Sequence, residues 1–291
     1  MRKVVVTGGA GFIGSHLVDA LIERGIEVHI VDKEPKHINP KAILHVGDIS
    51  NPKDPSLGRA LVKADCIFHL AAETSVEESI FNIYKYHINN VNVTLNVLHW
   101  ARREKVKNVI FSSSSSVYGE PQYTPIDEKH PLNPMSPYAL SKMIGEQYCS
   151  IFTKLYGINT VCLRYFNVYG NRMGDSKYQN VISTFRQQYN NNKPLTIVNN
   201  GEQKRDFIHV NDIVEANIQA AGLTKPYIFN VGTGNGITIN QIANMFGGEK
   251  TYEDTRIEPM FSISDNTYIK NVLNWESKYE LEPFIKQLKS K

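Results

Sequence analysis

The 291-residue sequence predicts an α/β fold built on a doubly wound parallel sheet, with a second, smaller domain toward the C-terminus. Three observations carry this reading. Short apolar runs alternate with helix-length amphipathic stretches through the first half of the chain. A glycine-rich segment joins the first run to the first such stretch. After about residue 166 the alternation breaks into shorter, polar, Asn- and Gly-rich pieces.

The apolar runs lie at 3–7, 27–31, 42–46, 66–70, 109–112 and 159–164, each of strand length. Ile13, Leu17, Ala20 and Leu21, three and four residues apart, mark the first helix between them. Strand then helix, repeated, implies parallel strands covered on both faces. A helix-like stretch returns at 205–221. The expected division is therefore a nucleotide-binding domain from 1–166 with about 205–225, and a second domain from about 167–204 with 226–291.

Composition narrows the class. Hydrophobic residues make up 41% and charged residues 21%, the usage of a globular protein rather than of a disordered chain. The net charge of +3 is dispersed, so no nucleic-acid partner is expected. Cys66, Cys149 and Cys162 have no CxxC spacing and are read as free thiols of a reducing compartment. Met1-Arg2-Lys3 runs straight into an apolar strand, and no apolar run approaches membrane-spanning length. The expectation is a cytoplasmic protein without membrane or metal partners; the nine histidines form no metal-ligand pattern.

Thr7-Gly8-Gly9-Ala10-Gly11-Phe12-Ile13-Gly14 follows a strand and opens a helix. Gly8 and Gly11 permit a tight turn and close approach to a pyrophosphate, which sits on the positive end of the helix, and Gly14 lets helix and strand pack closely. The second strand ends at Asp32, where a carboxylate accepts bonds from adenosine ribose hydroxyls and repels a 2′-phosphate. NAD is favoured over NADP, with Lys33 beside Asp32 as the opposing signal.

The GxxGxxG spacing resembles that of the extended short-chain dehydrogenase/reductases, which have a Rossmann fold, and in particular their NAD-dependent nucleotide-sugar epimerases and dehydratases. Further landmarks follow in the family's order. Gly47-Asp48-Ile49 resembles the motif that binds adenine, His69-Leu70-Ala71-Ala72 the strand end beside the dinucleotide, and Asn89 the cofactor-side asparagine. The resemblance thus implies cofactor contacts from Phe12, Ile13, Asp48, Ile49, Leu70, Ala71, Ala72 and Asn89. For Asp48 a turn cap is an equal alternative, and His69 is read as a satisfied strand histidine.

Tyr138-Ala139-Leu140-Ser141-Lys142 puts a phenol and an ammonium one helical turn apart, and Ser136-Pro137 supplies an N-cap and a first-turn proline. A free tyrosine has a pKa of about 10 and is a poor base, but a lysine and the positive nicotinamide ring favour the phenolate. Tyr189 and Lys193 repeat the spacing in a polar segment read as a solvated loop. Upstream, the apolar run 109–112 leads into Ser112-Ser113-Ser114-Ser115-Ser116-Val117-Tyr118-Gly119, placing hydroxyls at a strand's carboxyl end. Alignment with the family selects Ser114, with Ser113 as competitor, so Ser114, Tyr138 and Lys142 form the implied catalytic set.

Arg164-Tyr165-Phe166-Asn167-Val168-Tyr169-Gly170 resembles the strand and loop closing the nicotinamide site. The resemblance then assigns substrate contacts to Asn167, Asn180, Val181, Arg205, Arg256 and Glu258, the last two with a gap in the match. Two arginines suit a pyrophosphate. Dehydratases and decarboxylases of the family carry acidic residues just after the catalytic hydroxyl, where this chain has Ser115 and Ser116. Inversion at C4 of a UDP-hexose, through a 4-keto intermediate, is therefore the expected reaction. A dTDP- or GDP-sugar reductase or dehydratase is the alternative, and a non-catalytic NAD-binding regulator ranks below both. Ser262 stands where some members have a bulky tyrosine, leaving room for N-acetylated sugars, and the family implies a homodimer through the helix bearing Tyr138 and that spanning 96–102.

Overall fold

The computed structural model describes residues 1–174, 180–253 and 259–289. They form two compact units: Met1–Val117, Pro134–Arg164 and Val214–Phe229 make the first, and Tyr118–Asn133, Tyr165–Ile213 and Asn230–Lys291 the second.

In the first half the elements run β1 (Lys3–Thr7), α1 (Phe12–Glu23), β2 (Glu27–Asp32), β3 (Ile43–Val46), α2 (Ser56–Leu61), β4 (Cys66–His69), α3 (Val76–Phe81), α4 (Ile83–Tyr86) and a π-helix (His87–Asn92). There follow α5 (Val93–Arg103), β5 (Asn108–Ser114), a 3-10 turn (Ser115–Tyr118), α6 (Pro137–Tyr156) and β6 (Asn159–Tyr165). The second half contains β7 (Asn167–Tyr169), α7 (Val181–Asn190), β8 (Leu195–Val198), β9 (Lys204–His209), α8 (Val210–Ala220), β10 (Tyr227–Val231) and β11 (Gly236–Thr238). It ends with α9 (Ile239–Phe246), β12 (Lys250–Glu253), β13 (Phe261–Ser262), α10 (Thr267–Leu273) and α11 (Leu281–Lys289).

The large sheet has the order β10-β6-β5-β4-β1-β2-β3, with parallel registers along β3-β2-β1-β4-β5. The chain winds outward from β1 to β3 on one side, then restarts at β4 on the other. This doubly wound arrangement is the fold class expected from the strand rhythm, and its reversal beside β1 is where such sheets bind ligands. Val4, Val5 and Val6 are fully buried, as a strand covered on both faces requires. On one face Val5, Ile67, Val109 and Phe111 pack with Val97, Leu98 and Ala101 of α5 and Cys149 and Phe152 of α6. Burial of each large side chain contributes about 1.5–3 kcal/mol, which fixes α6 against β5.

Local chemistry sets the ends of α6. The Ser136 hydroxyl accepts the Ala139 amide at 3.1 Å and Pro137 occupies the first turn. Gly157 closes the helix in the left-handed region, its amide reaching Thr153 O.

In the second unit β9 pairs with β7, β11 and β13, and β8 with β12. The fully buried Asp206 carboxylate accepts Thr233 N and Oγ1 at 2.8 and 2.6 Å, Gly234 N at 2.9 Å and Ser264 Oγ at 2.6 Å. One side chain thus ties the loop after β10 and the segment after β13 to β9. The unit boundaries differ from the sequence division mainly in two places, with smaller shifts at 165–166 and 226–229. Residues 118–133 join the second unit because Asn230 Nδ2 donates to Ile126 O at 2.8 Å and Tyr118 donates to Asn230 Oδ1 at 2.6 Å. Residues 205–213 join it because β9 enters the small sheet. The strand β10, absent from the sequence reading, includes Asn230, a buried polar residue that breaks the apolar pattern and whose side chain those partners satisfy.

Among the described residues, no helix is long and apolar enough to cross a membrane.

Candidate active site

The glycine segment forms a cradle at the C-terminal end of β1. Gly8 has φ +70°, and a Cβ there would lie 2.7 Å from Ala71 N. A Cβ on Gly14 would lie 2.1 Å from Gly8 O, so α1 rests directly on the turn, as the sequence implied. Gly11 caps α1 with no side-chain bond to its first turn, leaving a helix N-terminus lined by backbone with Phe12 and Ile13 in its first positions. Leu70, Ala71 and Ala72 continue from β4 beside it, with Leu70 N bonded to Thr7 O at 3.1 Å.

At the end of β2, Asp32 accepts Ala10 N on Oδ2 and Glu34 N on Oδ1, both at 3.0 Å. The carboxylate is therefore fixed to the glycine turn itself. Asp48 Oδ1 accepts Ser50 N at 3.0 Å, the turn-capping bond weighed against an adenine contact, while Ile49 is buried in the core beneath. Asn89 lies in the π-helix, its Nδ2 bonded to Lys85 O at 2.9 Å; such bulges recur at functional sites. His69 bridges Thr7 Oγ1 at 2.8 Å and Thr94 Oγ1 at 3.1 Å, and burial pushes its pKa down to about 3. It is a neutral, satisfied strand histidine.

Tyr138 and Lys142 lie one turn apart on α6, with the Lys142 ammonium 6.0 Å from the centre of the Tyr138 ring. Lys142 is buried, donates to Ser112 O at 2.8 Å, and burial lowers its pKa to about 8. Ser114 ends β5 and is half-buried; its Oγ accepts Ser116 N at 3.2 Å and is 2.9 Å from Ser116 Oγ. Ser113 instead donates to Glu146 Oε1 at 2.5 Å, and Glu146 is held by a bidentate bond to Arg164 at 2.9 and 2.7 Å. Glu146 was not singled out from the sequence, although it sits four residues beyond Lys142 on the same buried helix face. The second YxxxK match is split: Tyr189 belongs to the last turn of α7 rather than to a loop, packing on Phe246, and Lys193 follows the turn.

Within the second unit, Asn167 pairs with Phe207 across β7 and β9 and its Nδ2 donates to Asp206 O at 3.1 Å. Arg205 is buried, donates from Nη1 to Lys204 O at 3.0 Å, and is in register with Ser262 on β13. Asn180 caps α7, accepting Ser183 N at 2.9 Å and donating to Val168 O at 3.2 Å, and Val181 is the helix's first residue. Asn167, Arg205, Ser262 and Asn180 therefore gather around β9 and β7. Arg256 and Glu258 lie outside the described residues.

Residues 4–232 match the NAD dependent epimerase/dehydratase family model. The chain belongs to the NAD-dependent epimerase/dehydratase family. Its relatives agree along nearly their full length. A UDP-glucose 4-epimerase of Lactobacillus helveticus is 32% identical over 96% of this chain and 93% of its own. The crystal structure of UDP-glucose 4-epimerase with UDP-glucose from Thermotoga maritima superposes with a TM-score of 0.94, at 34% identity over 99% of this chain and 98% of that one. A UDP-N-acetylglucosamine 4-epimerase from Methanobrevibacter ruminantium M1, in complex with UDP-N-acetylmuramic acid, gives a TM-score of 0.89 at 35% identity, over 99% and 96% of the two chains. NAD is the cofactor of this epimerase/dehydratase family. The cradle fits it: a helix N-terminus without a side-chain cap suits a diphosphate, and the anchored Asp32 carboxylate suits ribose hydroxyls.

Proposed function

We propose that the protein is an NAD-dependent UDP-sugar 4-epimerase, acting on UDP-glucose and UDP-galactose through a 4-keto intermediate. The observation that carries this reading is the composition of the hydroxyl cluster at the end of β5. Ser114 faces no acid in its own turn, since the two following positions are Ser115 and Ser116, and the Ser116 hydroxyl is engaged with Ser114. Such a site abstracts and returns one proton but lacks the extra acid an elimination needs.

Bound NAD supplies the hydride acceptor and donor at C4′. Tyr138 takes the 4′-hydroxyl proton, with Ser114 bonding the same oxygen, and gives a proton back to that oxygen once the turned ring has presented the other face of C4′ for hydride return. Lys142, desolvated and next to Tyr138, stabilises the phenolate and holds the nicotinamide ribose. Gly8, Gly11, Phe12, Ile13, Gly14, Asp32, Asp48, Ile49, Leu70, Ala71, Ala72 and Asn89 hold the rest of the cofactor. Asn167 and Arg205 hold the substrate phosphates, Asn180 and Val181 lie near the uracil and phosphates, and Arg256 is assigned to the phosphates with Glu258 to the ribose. Fixing the nucleotide lets the loosely held sugar rotate.

Ser262, in register with Arg205, has a short side chain where some family members carry a bulky tyrosine, which supports acceptance of N-acetylated sugars as well. The homodimer is assigned to α5 and α6, where Leu140, Ile151 and Leu155 are exposed along one stripe of α6. Three buried free cysteines suit the cytoplasm.

The test incubates purified protein with UDP-galactose, without added cofactor, beside Tyr138→Phe, and follows products by anion exchange and proton NMR. Conversion to a mixed equilibrium with UDP-glucose, lost in the variant, is the expected result. No conversion of plain or N-acetylated UDP-hexose, even with NAD added, rejects the assignment and leaves a dTDP- or GDP-sugar enzyme. Sedimentation of the purified protein checks the dimer.

A further inference from the structure

The end of β2 carries two adjacent opposite charges that do not pair. Both oxygens of Asp32 are taken by backbone amides, those of Ala10 and Glu34. The Lys33 ammonium points elsewhere: it lies 3.2 Å from Glu73 Oε1 and 3.4 Å from Asn89 Oδ1. Glu73 follows β4, and β4 lies on the other side of β1 from β2. Lys33 is thus drawn across the end of β1.

Glu73 is built to hold it there. Its amide donates to Asn90 Oδ1 at 2.8 Å, and Asn90 Nδ2 returns bonds to Glu73 O at 3.0 Å and Ser141 Oγ at 2.9 Å. Asn90 is buried, so the backbone beneath the carboxylate is anchored to α6. The second carboxylate oxygen lies 3.2 Å from Lys85, itself bonded to Glu78 at 2.7 Å. Glu73 is less exposed than either lysine.

A lysine next to the ribose-binding carboxylate has the chemistry to bind a 2′-phosphate, and pairing with Asp32 would cancel the repulsion that rejects one. We propose that Glu73 is a positioning residue for cofactor choice. By drawing Lys33 toward β4 it keeps the Asp32 carboxylate uncompensated, so the site takes a dinucleotide with a free 2′-hydroxyl and refuses one with a 2′-phosphate. This rests on the reading that Asp32 faces the adenosine ribose.

The experiment titrates NADH and NADPH, by nicotinamide fluorescence, into protein freed of bound nucleotide. Wild type is compared with Glu73→Gln, Glu73→Asp, the double variant Glu73→Gln/Lys33→Ala, and Asp32→Asn, each checked for fold by circular dichroism. In Glu73→Gln the NADPH affinity rises about tenfold relative to NADH, the scale of one charge-assisted contact. The gain disappears in the double variant, and Glu73→Asp restores the wild-type preference. A gain that survives loss of Lys33 overturns the proposal, as does an unmoved preference in Glu73→Gln while Asp32→Asn shifts it. If Asp32→Asn moves nothing, Asp32 does not face the ribose and the premise itself is lost.

Discussion

The Ser113 hydroxyl donates to Glu146, whose carboxylate is gripped by Arg164 with both partners almost fully buried. This bond separates two neighbouring serines that are chemically identical in the sequence. A hydroxyl committed to a buried ion pair holds β5, α6 and β6 together, whereas Ser114 presents its oxygen at the strand end. Ser114→Ala is expected to lower kcat by about 10²–10⁴, the range for a lost proton-transfer partner. Ser113→Ala is expected to leave kcat within a fewfold and to cost about 1.5–3 kcal/mol of stability, the worth of a hydrogen bond to a charged group, with Glu146 still held by Arg164. Steady-state kinetics and urea unfolding of both variants check it. The reverse pattern would reassign the catalytic hydroxyl.

Tyr138 and Lys142 predict an alkaline limit to activity. Burial lowers the Lys142 pKa to about 8, so the ammonium loses its proton as pH rises through that value, and with it the positive charge that favours the Tyr138 phenolate. A plot of kcat/KM for the epimerisation against pH should bend downward near pH 8. Lys142→Arg keeps its charge across the range, so its slower reaction should lack that limb. A limb that persists unchanged in the arginine variant would assign it to another group.

Much of this site is legible in the chain because it depends on local pattern. The glycine turn, the capped helix with Tyr138 and Lys142, and the strand ending at Asp32 are set by spacing, by Ser136-Pro137 and by apolar runs. What escapes depends on partners distant in sequence. Glu146 looks like an ordinary helix carboxylate until Arg164 is seen beside it. Asn230 hides β10 because its burial is offset by Tyr118 and Ile126, more than a hundred residues away. Segment 118–133 carries no periodic signal of its own, and contacts distant in sequence, among them the Ile126–Ser264 bridge and the bonds to Asn230, place it in the second unit.

His69 gives the protein an acid sensitivity that can be isolated. Its pKa is pushed down to about 3 by burial, against about 6.5 when unfolded, so between these values the unfolded chain binds one more proton than the native state. Stability therefore rises with pH through this window and is lost as pH falls from 6.5 toward 3. The slope from this group approaches about 1.4 kcal/mol per pH unit. Urea midpoints measured from pH 4 to 7 should fall less steeply in His69→Gln, whatever its absolute stability. Equal slopes would mean that His69 titrates normally in the fold.

Two glycines of similar backbone conformation should respond differently to a methyl group. Gly8 at φ +70° and Gly25 at φ +74° share the strain that alanine meets in the left-handed region, about 1–2 kcal/mol. At Gly25 nothing lies within 4 Å of the added Cβ, so strain is the whole cost. At Gly8 the Cβ would meet Ala71 N at 2.7 Å and Ala71 Cα at 2.8 Å, backbone atoms that cannot swing aside. The turn must then move away from β4, and the surface proposed to receive the NAD diphosphate moves with it. Gly8→Ala should emerge from purification depleted of bound NAD, seen as a lower absorbance ratio at 260 and 280 nm, and bind added NADH at least about tenfold more weakly, or about 1.4 kcal/mol. Gly25→Ala should keep wild-type NAD content despite a similar strain. Equal retention of NAD by both variants would show that the contact between Gly8 and Ala71 does not shape the cofactor seat.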